Sequence, residues 1–298
     1  MVSAVQPRQA AILILAGMMT LGFTDNLVPF VSAESSLWQF HFIRGSLVLT
    51  ALIAASAMGA GALWPQKPLA VFGRSLFQAG ALLIYFGCIA IMPIGVVIAG
   101  MFTSPLFVVI ISVVLQRRSV GRIRWLAVGI GFVGVLLVIR PDPNAMDPVA
   151  FLPVCAGLLY AIGAIATRAW CEGEQTLTLT AWFFALLTIF GAIGVLMLPS
   201  GGVPGAEGFP VRGWMPVSSG MFAWYLALAL GALIGIALIF RGYQMGEASD
   251  VAVFEYALLI FASFWAYVLW GQTVPPLGLL GMVMIVGAGG IIARRTGS

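Results

Sequence analysis

Apolar runs of about twenty residues recur from one end of this chain to the other, and that recurrence limits the possible folds more than any other feature of the sequence. A bilayer core about 30 Å thick takes about 20 apolar residues per helical crossing. Ten runs fit: Ala10 to Val31, Leu37 to Met58, Leu76 to Met92, Ile94 to Leu115, Trp125 to Ile139, Pro148 to Ala169, Leu177 to Leu198, Met221 to Phe240, Asp250 to Trp270 and Val274 to Ala293. Several, such as Trp125 to Ile139, are apolar on every side, whereas the strands of a membrane barrel alternate over segments of about 10 residues. Lipid offers no partner to a backbone N–H or C=O, so a span of this kind is a helix. With 61% hydrophobic residues, 8% charged residues and a mean hydropathy of +1.09, the 298-residue chain lacks the polar surface to coat a soluble globule. The sequence predicts an all-α membrane protein of ten transmembrane helices.

The net charge of +4 says less than where the charges fall. With the N-terminus cytoplasmic, Arg8, Lys67, Arg74, Arg117, Arg118, Arg122, Arg124, Arg168, Arg241, Arg294 and Arg295 come to the inner side, against Arg140 and Arg212 outside and Arg44 within a span. That asymmetry follows the positive-inside rule and predicts both termini in the cytoplasm, with the protein multi-pass in a bacterial cytoplasmic (inner) membrane. The basic run Arg117 to Arg124 lies in a short turn between spans and is read as a topology determinant, so no nucleic-acid partner is expected. Cys88, Cys155 and Cys171 are odd in number and sit in or beside spans, unlike a secreted disulfide framework. Arg8 and the first run have the outline of a signal peptide with Val31-Ser32-Ala33 as cleavage site, but Asp25, Asn26 and Pro29 suit a functional first span better.

The chain carries a weak internal repeat. From Ser104, spans four and five comprise an aromatic-containing span, a tight polar turn and a glycine-rich span, and spans nine and ten repeat that order from Tyr256. Two five-span halves follow, residues 1–141 and 142–298, and an odd number of crossings inverts the second half relative to the first. The turn after span four is basic, whereas Gly271 to Pro276 after span nine is uncharged. Inverted repeats of this kind put a binding site near the midplane between the halves.

The segments FHFIRGSL in span two, MPIGVVIAGMFTSPLF leading through span four and FEYALLIFASFWAYVLWGQ in span nine carry a resemblance. The chain resembles members of the drug/metabolite transporter superfamily built from two EamA-like five-helix repeats. The resemblance covers nearly the whole chain and implies transport of a small organic molecule such as an amino acid, a vitamin, a nucleoside derivative or a toxic amphiphile. Where that family commonly closes spans four and nine with Gly-Glu, this chain has Gln116-Arg117 and Gly271-Gln272, so no role of that glutamate carries over.

Charges inside hydrocarbon are costly and call for an explanation. Asp25, Arg44 and Glu255 are the three such residues. Arg44 lies seven residues into span two, about 10 Å from its outer end at 1.5 Å per residue, and Asp25 lies at similar depth in span one. Two readings stand: Asp25 and Arg44 pair with each other, or one is lent to a substrate. Asn26 adjoins this pair. His41, the only histidine, shares a face of span two with Trp38, Arg44 and Gly45, and serves either packing or proton coupling. Glu255 is a cavity or proton-coupling carboxylate with no obvious basic mate, and Asp25 is the third candidate for coupling. Gly100, Thr103 and Ser104 share a face of span four, where a missing side chain leaves room for a ligand or for close helix contact. Tyr85, Tyr160, Tyr256 and Trp265 lie within spans rather than in interfacial belts, and line a cavity or pack between helices.

No phosphate loop or dinucleotide fingerprint occurs, which disfavours ATP-driven transport and leaves no cofactor implied. The expected function is secondary active transport of a small zwitterionic or aromatic metabolite by alternating access, with the bilayer and a proton or exchange substrate as further partners. A monomer is expected, with a homodimer as the alternative. A passive channel and an integral membrane enzyme are the rival classes. The enzyme would need an acid/base, nucleophile or metal cluster that the scattered carboxylates and single histidine do not supply.

Overall fold

The computed structural model describes residues 6–89, 94–115, 121–139, 149, 151–199 and 208–295. Arg117, Arg118, Arg140 and the boundary between residues 141 and 142 lie outside them. The described residues form α1 (Pro7–Asp25), α2 (Val28–Ser32), α3 (Leu37–Ala57), α4 (Pro68–Ile89), α5 (Ile94–Met101), α6 (Ser104–Val114), α7 (Arg122–Ile139), α8 (Phe151–Ala169), α9 (Thr176–Met197), α10 (Ser219–Met245), α11 (Ala248–Val251), a 3-10 turn (Ala252–Tyr256), α12 (Ala257–Trp270) and α13 (Pro276–Arg295). Eight segments are long and apolar enough to cross a membrane: Leu37–Ala57, Pro68–Cys88, Val96–Val114, Arg122–Ile139, Phe151–Ala169, Thr176–Met197, Ser219–Met245 and Ala248–Trp270. The other two expected spans correspond to α1 with α2, and to α13, whose apolar part Pro276–Ile292 is shorter.

Local chemistry sets the helix ends. Ser36 and Ser218 cap α3 and α10, their hydroxyls accepting from the N–H groups of Gln39 and Met221 at 3.2 and 3.1 Å. Gly271 ends α12 in the left-handed region at φ 66°, where a residue without Cβ is favoured. Two spans expected to be continuous are broken. A proline ring clashes with the carbonyl four residues back and brings no N–H. Pro29 therefore stops α1 at Asp25, and Pro105 stops α5 at Met101. Span nine is interrupted without proline, by the 3-10 turn at 252–256.

The third span starts earlier than the apolar run suggests. Helix α4 begins at Pro68, not near Leu76, because proline is well suited to a first helical turn. Arg74, expected among the charges flanking the spans, therefore sits inside α4 and is 0% exposed. Helix α10 likewise runs past Phe240 to Met245 and includes Arg241.

The principal contacts are α1 with α10, α3 with α9, α4 with α8 and α7 with α13. All four pairs run antiparallel. Gly17 abuts Ile239 while Gly242 abuts Ile14; Gly45 abuts Thr188 while Gly194 abuts Trp38; Gly163 abuts Gln78 while Gly80 abuts Leu159; Gly131 abuts Ala288 while Gly134 abuts Gly281. Two further pairs run parallel, α1 with α12 and α5–α6 with α8. In the first, Gly22 lies against Ala262 and Phe30 beside Trp270; in the second, Gly100 lies against Pro153 and Val108 near Ile165. Side chains on the outer faces, such as Ile53, Val133, Ile193 and Val283, are exposed hydrophobics of the kind lipid covers.

The closeness of α7 and α13 yields a test. A Cβ on Gly134 would lie 2.6 Å from the Gly281 carbonyl oxygen, whereas nothing stands within 4 Å of a Cβ on Gly129 of the same helix. Gly134→Ala is expected to cost about 1–3 kcal/mol by overpacking, read as a lower apparent melting temperature in detergent, with Gly129→Ala near neutral.

Candidate functional site

A cavity of about 130 Å³ lies inside the bundle, and all three helix interruptions border it. Asp25, the last residue of α1, Phe102 and Ser104, at the break between α5 and α6, and Glu255, on the 3-10 turn of span nine, all line it. The remaining wall is apolar and aromatic: Met18 and Leu21 from α1, Leu82 and Phe86 from α4, Phe183 and Phe184 from α9, and Ala232, Ile236 and Ile239 from α10.

Its polar groups are few and stand apart. Tyr160 on α8 donates its hydroxyl to Glu255 Oε1 at 2.8 Å, and Glu255 is 4% exposed. Arg44 on α3 holds its guanidinium over the Phe40 ring at 4.4 Å and near the Phe86 ring at 5.6 Å. Its Nη2 lies 3.4 Å from His41 Nδ1, while its Nε has no partner among the described residues. Such aromatic faces favour a cation without neutralising it. Asp25 is exposed to the cavity, and no ion pair joins it to Arg44 among the described residues.

Six of the twelve residues singled out from the sequence thus share one cavity: Asp25, Arg44, Tyr85, Ser104, Tyr160 and Glu255. His41 is 0% exposed behind Arg44, edge-on to Phe86 with ring centroids 5.3 Å apart. Asn26 does structural work, its amide donating to the carbonyls of Gly22 at 2.8 Å and Ala262 at 3.0 Å and so tying broken span one to α12. Gly100 and Thr103 lie against α8, and the Thr103 hydroxyl donates to the Gly100 carbonyl at 2.6 Å. Tyr256 is buried against Gly131 of α7 and Phe102. Trp265 donates to the Met19 carbonyl at 3.2 Å and packs edge-on to Phe23, away from the cavity. Sequence reasoning missed the apolar lining, which carries no periodic signal in helices that are apolar all round. It also missed the breaks, for which Pro29 and Pro105 were the available signs.

The two ends of the bundle differ. At the α2–α3 end, residues 208–217 form a strap across the start of α3. Leu37 N donates to the Phe209 carbonyl, Trp38 Nε1 to that of Pro210 and Gln39 Nε2 to that of Met215, each at 2.8 Å, while Met215 N returns a bond to Gln39 Oε1 at 2.9 Å. Arg212 Nη1 donates to the carbonyls of Ser32, Ala33 and Ser35, and Ser35 is bonded to Tyr225. At the α8–α9 end a vestibule of about 540 Å³ opens among α6, α8, α10 and α11. Beside it, Arg124 of α7 pairs with Asp250 of α11.

No family model matches the chain. Curated relatives do. The chain is 26% identical to a riboflavin transporter of Rhizobium johnstonii over 98% of its own length and 94% of the relative. It is 25% identical to the pseudopaline exporter CntI of Pseudomonas aeruginosa over 94% of each, and 21% identical to an S-adenosylmethionine uptake transporter of Rickettsia prowazekii over 84% of this chain and 79% of that one. A crystal structure with 14% identity superposes at a TM-score of 0.79 over 98% of this chain and 99% of the other, a likeness of fold. Together with the apolar helices, these relatives make the protein a multi-pass membrane transporter of small molecules rather than an enzyme.

The Tyr160–Glu255 contact is separately measurable. Tyr160→Phe removes the donor from a buried acceptor and is expected to destabilise the protein by about 1–3 kcal/mol. Glu255→Gln combined with Tyr160→Phe is expected to cost less than the sum of the two singles in a thermal-unfolding cycle. Strict additivity would mean that the contact does not form.

Proposed function

We propose that this protein is a secondary active transporter that carries a small zwitterionic or aromatic metabolite across a bacterial cytoplasmic membrane by alternating access. In this reading it has ten spans, both termini in the cytoplasm, and two inverted five-helix halves, residues 1–141 and 142–298. The observation that carries it is the convergence of three helix interruptions on one cavity holding Arg44, Asp25 and Glu255 amid aromatic rings. Discontinuous helices around a central site are the way membrane carriers present polar groups at depth.

The packing supports the halves. Exchanging each span for the one five further on turns the α1–α10 contact into α8–α4, and α1–α12 into α8 with α5 and α6. It leaves α3–α9 and α7–α13 as partners exchanged with each other, and both pairs are antiparallel, as equivalent helices of inverted repeats are. The cargo class follows from the lining. One guanidinium and two carboxylates suit opposite charges on one molecule, and the Phe and Tyr rings suit a planar body. The riboflavin and S-adenosylmethionine carried by the named relatives both include a planar heteroaromatic ring.

At about 130 Å³ the cavity lies below the roughly 300–1,000 Å³ of ligand sites. In the proposed cycle it is a closed-down form that widens as the halves rock. The strap then closes the periplasmic end, and the vestibule opens to the cytoplasm. Glu255 and Asp25 are the groups through which protons would couple to cargo, with His41 behind Arg44 as a third.

Reconstituted protein tests this reading, with tritiated riboflavin, amino acids and S-adenosylmethionine as cargoes. Saturable uptake with counterflow is expected for at least one of them. Arg44→Ala is expected to raise KM at least tenfold, and Glu255→Gln to keep exchange while losing acceleration by a pH gradient. Non-saturating flux would indicate a channel, and unchanged kinetics in both variants would remove these residues from the site.

A further inference from the structure

Arg74 is fully enclosed, yet none of the groups that hold it is a carboxylate. Its Nε donates to Thr167 Oγ1 at 2.9 Å and its Nη1 to the Leu179 carbonyl at 3.3 Å. Its guanidinium lies 3.6 Å over the Phe240 ring, and its Nη2 has no partner among the described residues. A buried cation left without a counter-charge is expensive, and packing alone would be served better by an apolar side chain.

Its location gives the cost a purpose. Thr167 and Tyr160 are seven residues apart on α8, and so share a face two turns apart. Thr167 lines the vestibule, and Tyr160 lines the central cavity and bonds Glu255. Arg74 reaches α8 from α4 one side chain behind the vestibule wall at Thr167, and the Phe240 ring beneath its guanidinium packs edge-on to Phe183, which lines the central cavity. The vestibule itself carries Arg168 and Arg241 against Glu172, Glu174 and Glu247, a balance that does not gather polyanions. With Nε and Nη1 engaged and the Thr167 hydroxyl proton given to the Gly163 carbonyl at 2.8 Å, the free Nη2 is the donor that remains, which suits one carboxylate better than a phosphate dianion.

We propose that Arg74 is a second binding position of the transporter, which takes the carboxylate of the cargo as it moves between the vestibule and the central cavity. Thr167 swings aside to admit it, and the aromatic body of the cargo stays on the Tyr160 side. This rests on the transport reading given above, but its test needs no transport, so the two can fail separately.

Cys171 provides the reporter, since it lines the vestibule and feels the charge of Arg74. Burial pushes its thiol up to about 11, with Arg74 and Lys67 pulling it down and Glu174 pushing it up. With Cys88→Ser and Cys155→Ser in place, Cys171 is labelled with N-ethylmaleimide in detergent-purified protein. Removing Arg74 takes away a pull toward the thiolate, so Arg74→Gln is expected to label more slowly at a given pH. The deciding comparison is protection within each variant, by millimolar 3-phenylpropionate against its uncharged amide. The carboxylate is expected to slow labelling at least threefold where the amide does not, with protection lost in Arg74→Gln and partly kept in Arg74→Lys. Equal protection by the amide, protection unchanged in Arg74→Gln, no protection by the carboxylate, or no labelling of Cys171 at all would each overturn the proposal. Should Arg74→Gln fail to fold, the weakened protection in Arg74→Lys carries the same decision.

Discussion

Every peptide group inside a bilayer has to find its hydrogen-bond partner within the protein, because lipid supplies none. A helix can therefore be interrupted at membrane depth only where protein or an internal cavity surrounds the gap. This chain interrupts three of its spans, after Asp25, after Met101 and at Ala252–Tyr256, and all three gaps border the same small cavity. The gaps are closed locally, by the Asn26 amide on the Ala262 carbonyl and by the Thr103 hydroxyl on the Gly100 carbonyl. The result is a bundle that is continuous and apolar toward its periphery and irregular at its centre, where a few polar groups stand in an apolar and aromatic wall.

The same constraint explains the electrostatics. Charges are sparse, and three of the buried ones rest on uncharged groups: Arg44 on aromatic faces, Glu255 on a tyrosine hydroxyl, and Arg74 on a threonine, a carbonyl and a phenylalanine ring. By contrast, Arg124 and Asp250, beside the vestibule, form a direct ion pair. A structure selected for rigidity alone would neutralise its deepest charges first. Groups left waiting at the centre make sense in a protein whose cargo completes them for part of a cycle.

Much of this fold was legible because lipid imposes a simple length rule on helices. The site was legible only in part. The charged and tyrosine positions declared themselves because they are expensive in hydrocarbon, and Asp25, Arg44, Tyr160 and Glu255 do share one cavity. Leu82, Phe86, Phe183 and Ile236 could not be foreseen, because a helix that is greasy on all sides has no periodicity to mark its inner face. The apolar run starts at Leu76 and so leaves Arg74 just ahead of the span, whereas Pro68 starts the helix two turns earlier and takes Arg74 inside it. The connection from Pro199 to Gly220 reads only as rich in Gly and Pro, and the role of residues 208–217 as a strap depends on Gln39 and Arg212, whose partners are backbone carbonyls and an N–H that no sequence pattern marks.

In the proposed cycle two halves rock about the cavity, so that its ends open in alternation. Electron–electron distance measurements on spin-label pairs test it directly in a cysteine-free background, with Glu34 and Pro216 reporting on the strap end and Leu115, at the end of α6, and Glu172 on the vestibule end, each pair having one member in either half. Two-component distributions are predicted at both ends, such that any change of pH or added cargo that lengthens one pair shortens the other. Both pairs lengthening together, or one pair moving while the other keeps a single fixed distance, would contradict rocking of the halves.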